Sequence, residues 1–323
     1  MNNIAFIGAG DIVRKSYLPA LTSRSDCKIV GICSQQGRSA SELASHYRIE
    51  RVFSGYLEVL ESDIVDTVFI CTPTHLHREI AEAAMAHNKH VLVEKPLCTS
   101  YEDGRLLLRR ARTYPKTFYV TFNNQFRAEN AWLKERVLNG NFGEIELIDM
   151  EWFRRDIVTN KPWLYNKKYS GGGVLIDLGT HLIHLALSLI PDRHSFIVYC
   201  NTISHNLPDS DVEDTANAMI TINGITNIQL RLAWDMESLE QKSRVDIEVY
   251  GRKKNASNHR YDGKKVEPFS RLIDDFFHHI ESNKKPDLAL IEDTMILIES
   301  MYRSQKTNTL IKGKFRALFP ITN

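Results

Sequence analysis

Three side chains in this sequence have the chemistry for moving a proton beside a developing negative charge: Lys95, Asp177 and His181. Asp177 and His181 are four residues apart in a predicted helix, so they share one face of that helix. A histidine titrates near neutral pH and a carboxylate orients it, which suits general acid–base chemistry. Lys95 lies in the turn Glu94-Lys95-Pro96 after a buried apolar strand, and the carboxyl ends of such strands bind ligands in open α/β sheets.

Each of these residues also has a plain structural interpretation. Lys95 is then a solvated lysine at a strand end, and Asp177 with His181 is a helical pair without chemistry. Asp177, His181 and His184 are alternatively metal ligands, but no further ligand cluster is visible in the sequence, so we expect no metal. His75 stands at a predicted helix start, where histidines more often cap a helix or lie on the surface than catalyse a reaction.

Up to about residue 122 the sequence predicts alternating strands and helices, and these elements must position Lys95. Strands of four to six residues followed by helices of about ten are typical of a doubly wound parallel sheet. The predicted strands are Ile4–Ile7, Lys28–Cys33, Val68–Cys71, Lys89–Val93 and Phe118–Phe122. The helices between them are predicted to end at Leu21 and to span Ser39–Tyr47, Glu79–His87 and Tyr101–Arg112.

The first strand runs into Gly8-Ala-Gly-Asp-Ile12, a glycine turn that opens a helix. The first glycine permits a tight turn, and the second lets a pyrophosphate approach the positive end of the helix. Val13 occupies the third glycine position, so the dinucleotide fingerprint is incomplete and an ordinary strand-to-helix turn is the alternative. The residues expected to bind the cofactor are Gly8, Gly10, Asp11, Ile12, Ser34, Arg38, Thr72, Pro73, His77, Glu94 and Lys95.

The end of the second strand predicts which nicotinamide cofactor is preferred. An acid at this position of an NAD site binds the 2′-hydroxyl of the ribose. This sequence has Ser34 there, with Arg38 shortly after. A hydroxyl and a guanidinium bind a 2′-phosphate, whereas a carboxylate repels it, so NADP is favoured over NAD. The alternative is that Ser34 caps the next helix and that Arg38 is solvated.

After about Asn123 the pattern changes to strands without long helices between them. A helix is predicted at Ala128–Asn139 and a long strand at Glu144–Arg155. Further strands are predicted at Phe196–Ile203, Thr215–Ile222, Ile225–Leu232 and Arg244–Tyr250, and closing helices at Arg271–Glu281 and Leu290–Ser304. Short turns such as Ile222-Asn-Gly-Ile225 indicate a mostly antiparallel sheet, one face of which can be left for a partner subunit.

The helix of Asp177 begins after Ser170-Gly-Gly-Gly173, which we interpret as a flexible turn. The leucines at 178, 182, 185 and 189 are expected to cover the core side of this helix, because they recur at helical spacing. The opposite side is then left for Asp177 and His181.

The composition argues against several classes of protein. The 323 residues, 43% hydrophobic and 25% charged, are ordinary for a globular protein of two domains. A net charge of +1 gives no electrostatic basis for binding nucleic acid or a membrane surface. No apolar run approaches the about 18 residues of a membrane helix. We see no export signal, and the five scattered cysteines indicate reduced, mostly buried thiols, so we expect a cytoplasmic protein.

Taken in order, these residues resemble the glucose–fructose oxidoreductase/inositol dehydrogenase/MocA family over essentially the whole chain. The resemblance rests on Gly8-Ala-Gly10, Glu94-Lys95-Pro96, Ser170-Gly-Gly-Gly173 with Asp177 and His181, and Met301-Tyr-Arg-Ser304. It implies an α/β protein with a Rossmann domain at 1–122 that binds NAD(P). It also implies an α+β domain at 123–323 with a mostly antiparallel, open-faced sheet, which binds substrate and assembles a homodimer or homotetramer.

The resemblance further implies an oxidoreductase that moves a hydride between nicotinamide and a carbinol or carbonyl carbon of a sugar, cyclitol or related polyol. His181 is then the acid/base, and Lys95 bridges the substrate hydroxyl and Asp177. Substrate contacts are expected from Lys95, Asn123, Arg154, Trp163, Asp177 and His181, with Arg155 and Tyr165 as further candidates. Arginines and aromatic rings suit sugar binding, but each could equally be surface or packing.

Three positions depart from the family pattern. Ser34 replaces the acid common in NAD-using members, Gln125 stands where arginine is common, and His184 stands where aspartate is frequent. The last two affect the expected substrate and not the hydride chemistry. Two other functions remain open: a non-catalytic NAD(P)-binding regulator, since fold does not fix function, and a reductase of an imine, a ring double bond or a pigment.

Overall fold

The computed structural model describes residues 2–155, 161–205, 210–234, 236–260 and 267–315, which form two compact units. The first unit comprises the described residues of Met1–Cys98, Glu102–Asn123 and Glu267–Leu288. The second comprises those of Thr99–Tyr101, Asn124–Val266 and Ala289–Asn323. The segment Glu267–Leu288, which the sequence prediction assigned to the second domain, therefore packs with the first unit.

The first unit is built on six strands: β1 (Asn2–Ile7), β2 (Cys27–Cys33), β3 (Arg51–Val52), β4 (Thr67–Ile70), β5 (His90–Val93) and β6 (Phe118–Val120). They are all parallel and lie in the order β3-β2-β1-β4-β5-β6. The predicted doubly wound sheet is confirmed. The strand order reverses between β1 and β4, and this switch point is where such sheets bind ligands beyond their carboxyl ends.

Helices connect these strands. They are a π-helical turn (Val13–Tyr17) continuing into α1 (Leu18–Thr22), then α2 (Arg38–Tyr47), α3 (Tyr56–Glu61), α4 (His77–Ala86) after a 3-10 turn (Thr74–Leu76), and α5 (Tyr101–Arg112). A later helix, Pro268–Ser282, belongs to the same unit and packs the ring of Phe269 against Tyr17 with centroids 5.0 Å apart. Every residue of β4 is buried, as expected for a central parallel strand whose residues lack the alternation of an exposed sheet.

The described residues of the second unit form seven strands: β7 (Ile145–Arg154), β8 (Ser195–Ile203), β9 (Thr215–Ile222), β10 (Thr226–Ala233), β11 (Ser243–Gly251), β12 (Asn255–Ser257) and β13 (Ile311–Lys314). Their order is β12-β11-β7-β10-β9-β8-β13, and among these described strands only the pairing of β7 with β10 is parallel. The prediction of a mostly antiparallel sheet is confirmed. Asn223, Gly224 and Ile225 join β9 to β10. Asn223 and Gly224 have φ of 56° and 72°, the positive values that an Asn-Gly pair in a tight hairpin turn favours.

The helices of the second unit are α6 (Ala128–Leu138), α7 (Lys167–Ser170), a π-helical segment (Leu175–Gly179) continuing into α8 (Thr180–Ser188), and α10 (Leu288–Thr307), which follows the Pro268–Ser282 helix (α9). Short 3-10 turns lie at Asn123–Phe126, Pro162–Tyr165 and Asn258–Arg260. We call the continuous segment from Leu175 to Ser188 the Asp177 helix. The four leucines predicted for its core side are all buried in the hydrophobic cluster of this unit.

One face of the second sheet packs on that cluster and the other is open. In β9 and β10, buried residues such as Ile220 and Leu230 alternate with exposed ones such as Met219 and Gln229. This period of two is the signature of a sheet covered on one side only. Among the described residues, no helix is long and apolar enough to cross a membrane. The five cysteines are free and buried.

Candidate active site

Several of the predicted cofactor residues of the first unit lie at the carboxyl edge of its sheet. Backbone hydrogen bonds continue the ladder beyond the strands: Gly8 N donates to Cys33 O (2.9 Å), and Cys71 N donates to Ile7 O (2.8 Å). In the same way Glu94 N donates to Ile70 O (3.0 Å). The ends of β2, β1, β4 and β5 are thereby held side by side, and the glycine turn, Ser34, Thr72 and the Glu94-Lys95-Pro96 turn emerge along one line.

The glycine turn is fixed by close backbone contact at the switch point. Gly8 has φ +108°, and a Cβ at this position would lie 2.4 Å from the carbonyl oxygen of Cys71. Only glycine fits there, because it has no Cβ and tolerates positive φ. Gly10 is exposed, and a Cβ there would meet no atom within 4 Å in the described part of the chain. Gly8 therefore serves the packing of two strands, while the open side of Gly10 faces the space that a pyrophosphate requires.

The Glu94-Lys95-Pro96 turn is held in place by a hydrogen bond from Tyr17. The Tyr17 hydroxyl, which is fully buried, donates to Glu94 Oε1 at 2.6 Å. Lys95 N lies 3.2 Å from both Glu94 Oε2 and Thr121 Oγ1, and the Lys95–Pro96 peptide bond is cis. Glu94 thus acts within the protein by holding the backbone of Lys95, and the half-buried Lys95 side chain begins from a fixed point.

Burial controls the ionisation of this anchor. Desolvation raises the pKa of the Glu94 carboxyl above its usual range, although hydrogen bonds from Tyr17 and Thr121 and the charge of Lys95 act in the opposite direction. Desolvation and the neighbouring Glu94 charge raise the pKa of Tyr17 as well. Tyr17 therefore remains a hydroxyl that donates, and sequence reasoning missed this residue because it is 77 positions from its partner.

His77 was predicted to bind the cofactor, and the structure places its ring between two loops of the first unit. Its side chain is buried, with Nδ1 2.9 Å from Pro96 O and Nε2 2.9 Å from Thr72 O. Both ring nitrogens are therefore used on backbone oxygens of the protein. Burial lowers the pKa of His77, so the ring is neutral at neutral pH and donates to one of the two carbonyls. Through these two contacts His77 links the Thr72-Pro73 loop to the Glu94-Lys95-Pro96 turn.

The two residues predicted to select the cofactor lie at the end of β2 and the start of α2. The Ser34 hydroxyl is buried and has no hydrogen-bond partner in the described part of the chain. It does not cap α2, whose N-cap residue is Gly37. Arg38 is exposed, and its Nε lies 3.1 Å from Glu42 Oε1.

The second unit brings the predicted acid/base pair to the end of β7. Arg154 Nη1 donates to Asp177 Oδ2 at 3.0 Å. The Arg154 guanidinium lies 5.4 Å from the ring centroid of Trp152, and that ring lies 5.6 Å from the ring of His181. Asp177 and His181 therefore touch neighbouring side chains on the same side of β7, which agrees with the predicted shared face. Trp152 was missed, although it stands two residues before Arg154 in a strand and so shares its face.

The glycine run before Asp177 is closely packed, which corrects the expectation of a flexible turn. A Cβ at Gly173 would lie 1.9 Å from Glu213 O, and one at Gly172 would lie 2.0 Å from the Tyr302 hydroxyl. Gly171 has φ +89°, and a Cβ there would lie 2.6 Å from Thr99 O. Each glycine is needed because another part of the second unit approaches its backbone. Glu213 was not identified from the sequence, and Tyr302 was noted only as part of Met301-Tyr-Arg-Ser304, without a role.

The remaining candidates have less specific surroundings. Asp11 and Ile12 are half-buried in the first helical turn, and Asp11 Oδ2 lies 3.0 Å from Lys15 Nζ. Asn123 begins a 3-10 turn, and Trp163 and Tyr165 are half-buried against the core of the second unit. Arg155 Nη1 reaches Glu240 O at 3.5 Å.

The alternative metal site gains no support from the environment of His184. This residue is buried, and desolvation lowers the pKa of its ring to about 3. In the ranges that the structure describes, no group of three or more histidine, cysteine or acidic side chains is arranged to hold a metal ion.

These features of the first unit fit a dinucleotide. The glycine turn opens a helix at the switch point, with space beside Gly10. The hydroxyl of Thr72, like that of Ser34, is buried without a hydrogen-bond partner among the described residues. Such groups are normally paired in proteins, so each is a donor that rotation can offer to a ligand.

Comparison with known proteins gives a consistent assignment. A family model described as an oxidoreductase family with an NAD-binding Rossmann fold matches residues 2–122, and a GFO/IDH/MocA C-terminal domain model matches residues 131–257. The chain is similar to a D-glucoside 3-dehydrogenase of Escherichia coli K12, with 30% identity over 187 residues, which are 58% of this chain and 53% of that protein.

It is also similar to a levoglucosan dehydrogenase of Pseudarthrobacter phenanthrenivorans, with 27% identity over 57% of this chain and 48% of that protein. The chain thus spans about half the length of these two relatives. Its fold matches the crystal structure of a myo-inositol dehydrogenase from Lactobacillus casei in complex with NAD(H) and myo-inositol. The TM-score is 0.80, with 16% identity over 97% of both chains.

Proposed function

Because the chain belongs to the Gfo/Idh/MocA family of oxidoreductases, we propose that it transfers a hydride between a nicotinamide dinucleotide and a carbinol or carbonyl carbon of a sugar, cyclitol or related polyol. Two relatives are named as dehydrogenases of a glucoside and of levoglucosan, which supports a sugar-like substrate. Five free, buried cysteines support a reducing compartment such as the cytoplasm.

One observation carries this proposal: the end of β7 holds an acid and a histidine in a single arranged group. Asp177 is oriented by the Arg154 guanidinium at 3.0 Å, and His181 packs beside Trp152. A guanidinium paired with a carboxylate fixes the direction of that carboxylate. Proton transfer depends on such orientation of the reacting groups.

We assign roles to the residues accordingly. Bound nicotinamide would supply the hydride acceptor or donor. His181 takes the proton of the substrate hydroxyl when the substrate is oxidised and returns it when the carbonyl is reduced. The Lys95 ammonium stabilises the negative charge on the reacting oxygen, and Asp177 orients its partners. Arg154, Trp163 and Asn123 contribute to substrate binding.

The test combines a substrate screen with two variants. Purified protein is assayed with NAD+ and NADP+ against sugars, cyclitols and sugar acids. Lys95→Ala and His181→Ala should each lower kcat by about 10²–10⁴-fold, because each removes a group acting on the reacting oxygen. Both should keep cofactor affinity within a few-fold. His194→Ala, which changes an exposed histidine of the second unit, is the matched control and should keep wild-type kcat. A His181→Ala protein with wild-type kcat would remove His181 from the mechanism.

We further propose a preference for NADP(H), supported by the lack of a carboxylate at position 34. Ser34 carries no charge, and Arg38 is the nearest following cation in the sequence. Ser34→Asp should shift the preference toward NAD(H), because its carboxylate repels a 2′-phosphate and accepts the ribose hydroxyl. Dissociation constants for NADH and NADPH are measured by fluorescence titration of both proteins. Tighter NADH binding by the wild type contradicts this preference.

We also propose that the open face of the second sheet joins two copies of the chain. Met219 is 65% exposed and pairs across the strands with Tyr199 and Gln229, which are also exposed. Exposed apolar side chains such as Met219 and Tyr199 in the middle of an uncovered sheet are a common basis for self-association. Light scattering should give a dimer or tetramer, and Met219→Arg should shift it toward monomer. Leu57→Arg, at an exposed leucine of the first unit, is the control, and a monomeric wild type contradicts the proposal.

A further inference from the structure

The start of the Asp177 helix is held by a residue distant in sequence. Glu213 accepts hydrogen bonds from three successive amide groups. Gly173 N donates to both carboxylate oxygens at 3.1 Å, and Leu175 N donates to Oε1 at 3.0 Å. Val174 N, between them, donates to the backbone carbonyl of Glu213 at 2.9 Å. The first amides of a helix have no partner within it and normally bond to a side chain beside them. Here one residue serves all three.

Tyr302 holds the carboxylate of Glu213 from the other side. Its hydroxyl donates to Oε1 at 2.8 Å, and burial together with the Glu213 charge raises the pKa of Tyr302, so it stays a donor. Burial also raises the pKa of the Glu213 carboxyl, against the lowering effect of its hydrogen bonds. The donors to this carboxylate are two amides and a hydroxyl, which together fix its position.

The contacts of Glu213 also determine the position of the acid/base pair. Asp177 N donates to Gly173 O at 3.0 Å. The position of Asp177 therefore depends on Gly173, the residue whose amide donates to Glu213. From there Asp177 meets Arg154, and His181 follows one turn later beside Trp152. The helix is π-helical over Leu175–Gly179, a wider turn that is frequent at functional sites. A shift of its first turn therefore moves both proposed catalytic groups.

We propose that Glu213, held by Tyr302, is the positioning residue of the acid/base pair. It contacts no reacting atom and acts through the amides of Gly173 and Leu175. The proposal rests on the function proposed above, and it also explains why the sequence has glycine at 172 and 173. A side chain at either position would occupy the place of Tyr302 or Glu213.

The experiment compares Glu213→Gln, Glu213→Ala and Tyr302→Phe with the wild type. Glu213→Ala should lower kcat by about 10- to 100-fold, because small misplacements of reacting groups have effects of this size. Glu213→Gln keeps one acceptor oxygen and should retain an intermediate kcat. KM and the cofactor dissociation constant should change by a few-fold at most. Adding Tyr302→Phe to Glu213→Ala should cause little further loss, because the hydroxyl acts through the carboxylate.

The control is Ser304→Ala, on the same helix as Tyr302. Ser304 is buried and bonds to Thr309 O and Cys200 N, neither of which belongs to the glycine run. It should lower the melting temperature and leave kcat unchanged. If Glu213 only supports the fold, its variants will behave like Ser304→Ala, and that result overturns the proposal.

Amide hydrogen exchange provides a readout that needs no substrate. Exchange at residues 173–177 should accelerate in Glu213→Ala and Glu213→Gln and stay unchanged in Ser304→Ala. A wild type that oxidises or reduces nothing in the screen contradicts the proposed function alone. In that case unchanged exchange in both Glu213 variants overturns the positioning role, and accelerated exchange supports it.

Discussion

Tyr17→Phe isolates one hydrogen bond beneath the proposed catalytic lysine. The substitution keeps the ring, and with it the edge-on contacts to Phe69 at 5.4 Å and to Phe269 at 5.0 Å. It removes only the hydroxyl that donates to Glu94 at 2.6 Å. A hydrogen bond to a charged group contributes about 1.5–3 kcal/mol, and its loss leaves a desolvated carboxylate with fewer donors. We therefore expect the free energy of unfolding to fall by about 2 kcal/mol at pH 8.

The pH dependence follows from the direction of the Glu94 shift. Burial raises the pKa of folded Glu94 above 4.5, and the Tyr17 bond partly offsets that rise. A carboxyl with a raised folded pKa favours the folded state below pH 4.5, and this contribution is lost as pH rises through the folded pKa. Without the hydroxyl the pKa of Glu94 rises further. The destabilisation by Tyr17→Phe should therefore be larger at pH 8 than at pH 5.

Urea unfolding at both pH values is the assay, with Tyr56→Phe as the matched control. The Tyr56 hydroxyl also donates to a glutamate, Glu79, at 2.6 Å, but this pair is exposed. Exposed pairs contribute little, so Tyr56→Phe should change stability by less than about 0.5 kcal/mol. Equal effects of the two substitutions, or an effect of Tyr17→Phe that does not depend on pH, would refute the reasoning.

Two further outcomes are expected. Gly8→Ala should weaken NADH binding at least tenfold in a fluorescence titration, because its Cβ would lie 2.4 Å from Cys71 O. Gly140→Ala, which has φ +73° and no atom within 4 Å of the new Cβ among the described residues, should leave binding unchanged. His184 has a folded pKa of about 3 against 6.5 when unfolded, so stability should fall as pH drops from 6.5 toward 3. His184→Leu should weaken that dependence in urea unfolding, and an unchanged profile would contradict the stated burial effect.

Local patterns were sufficient for most elements of this fold. The strand at Thr215–Ile222 was predicted at its observed bounds, and the helix at Tyr101–Arg112 likewise. Apolar periodicity and the Asn-Gly turn act within a few residues, so they are legible in the sequence. The edge strand Ile311–Lys314 was not predicted, because its exposed residues Lys312 and Lys314 give it a polar pattern and its pairing with β8 is remote.

The assignment of Glu267–Leu288 to the first unit also lay beyond the sequence. The helix Pro268–Ser282 is amphipathic. Its apolar face predicts that one side of the helix is buried, but it does not predict which part of the protein covers that side. Its partners, Tyr17 and Phe69, are about 200 positions or more away. Only the folded chain identifies them.

The sequence by itself determined the two types of sheet, the glycine turn at the switch point and the residue types of the proposed chemistry. These follow from spacing, because a strand, a helix and a tight turn each impose a short period on the side chains. The tertiary structure alone decided what holds those residues. The contacts that do so join residues 19 to 77 positions apart in the sequence: Tyr17 with Glu94, His77 with Pro96, and Glu213 with Gly173. Such contacts leave no periodic trace, since each depends on how separate elements pack and not on the pattern within any one of them.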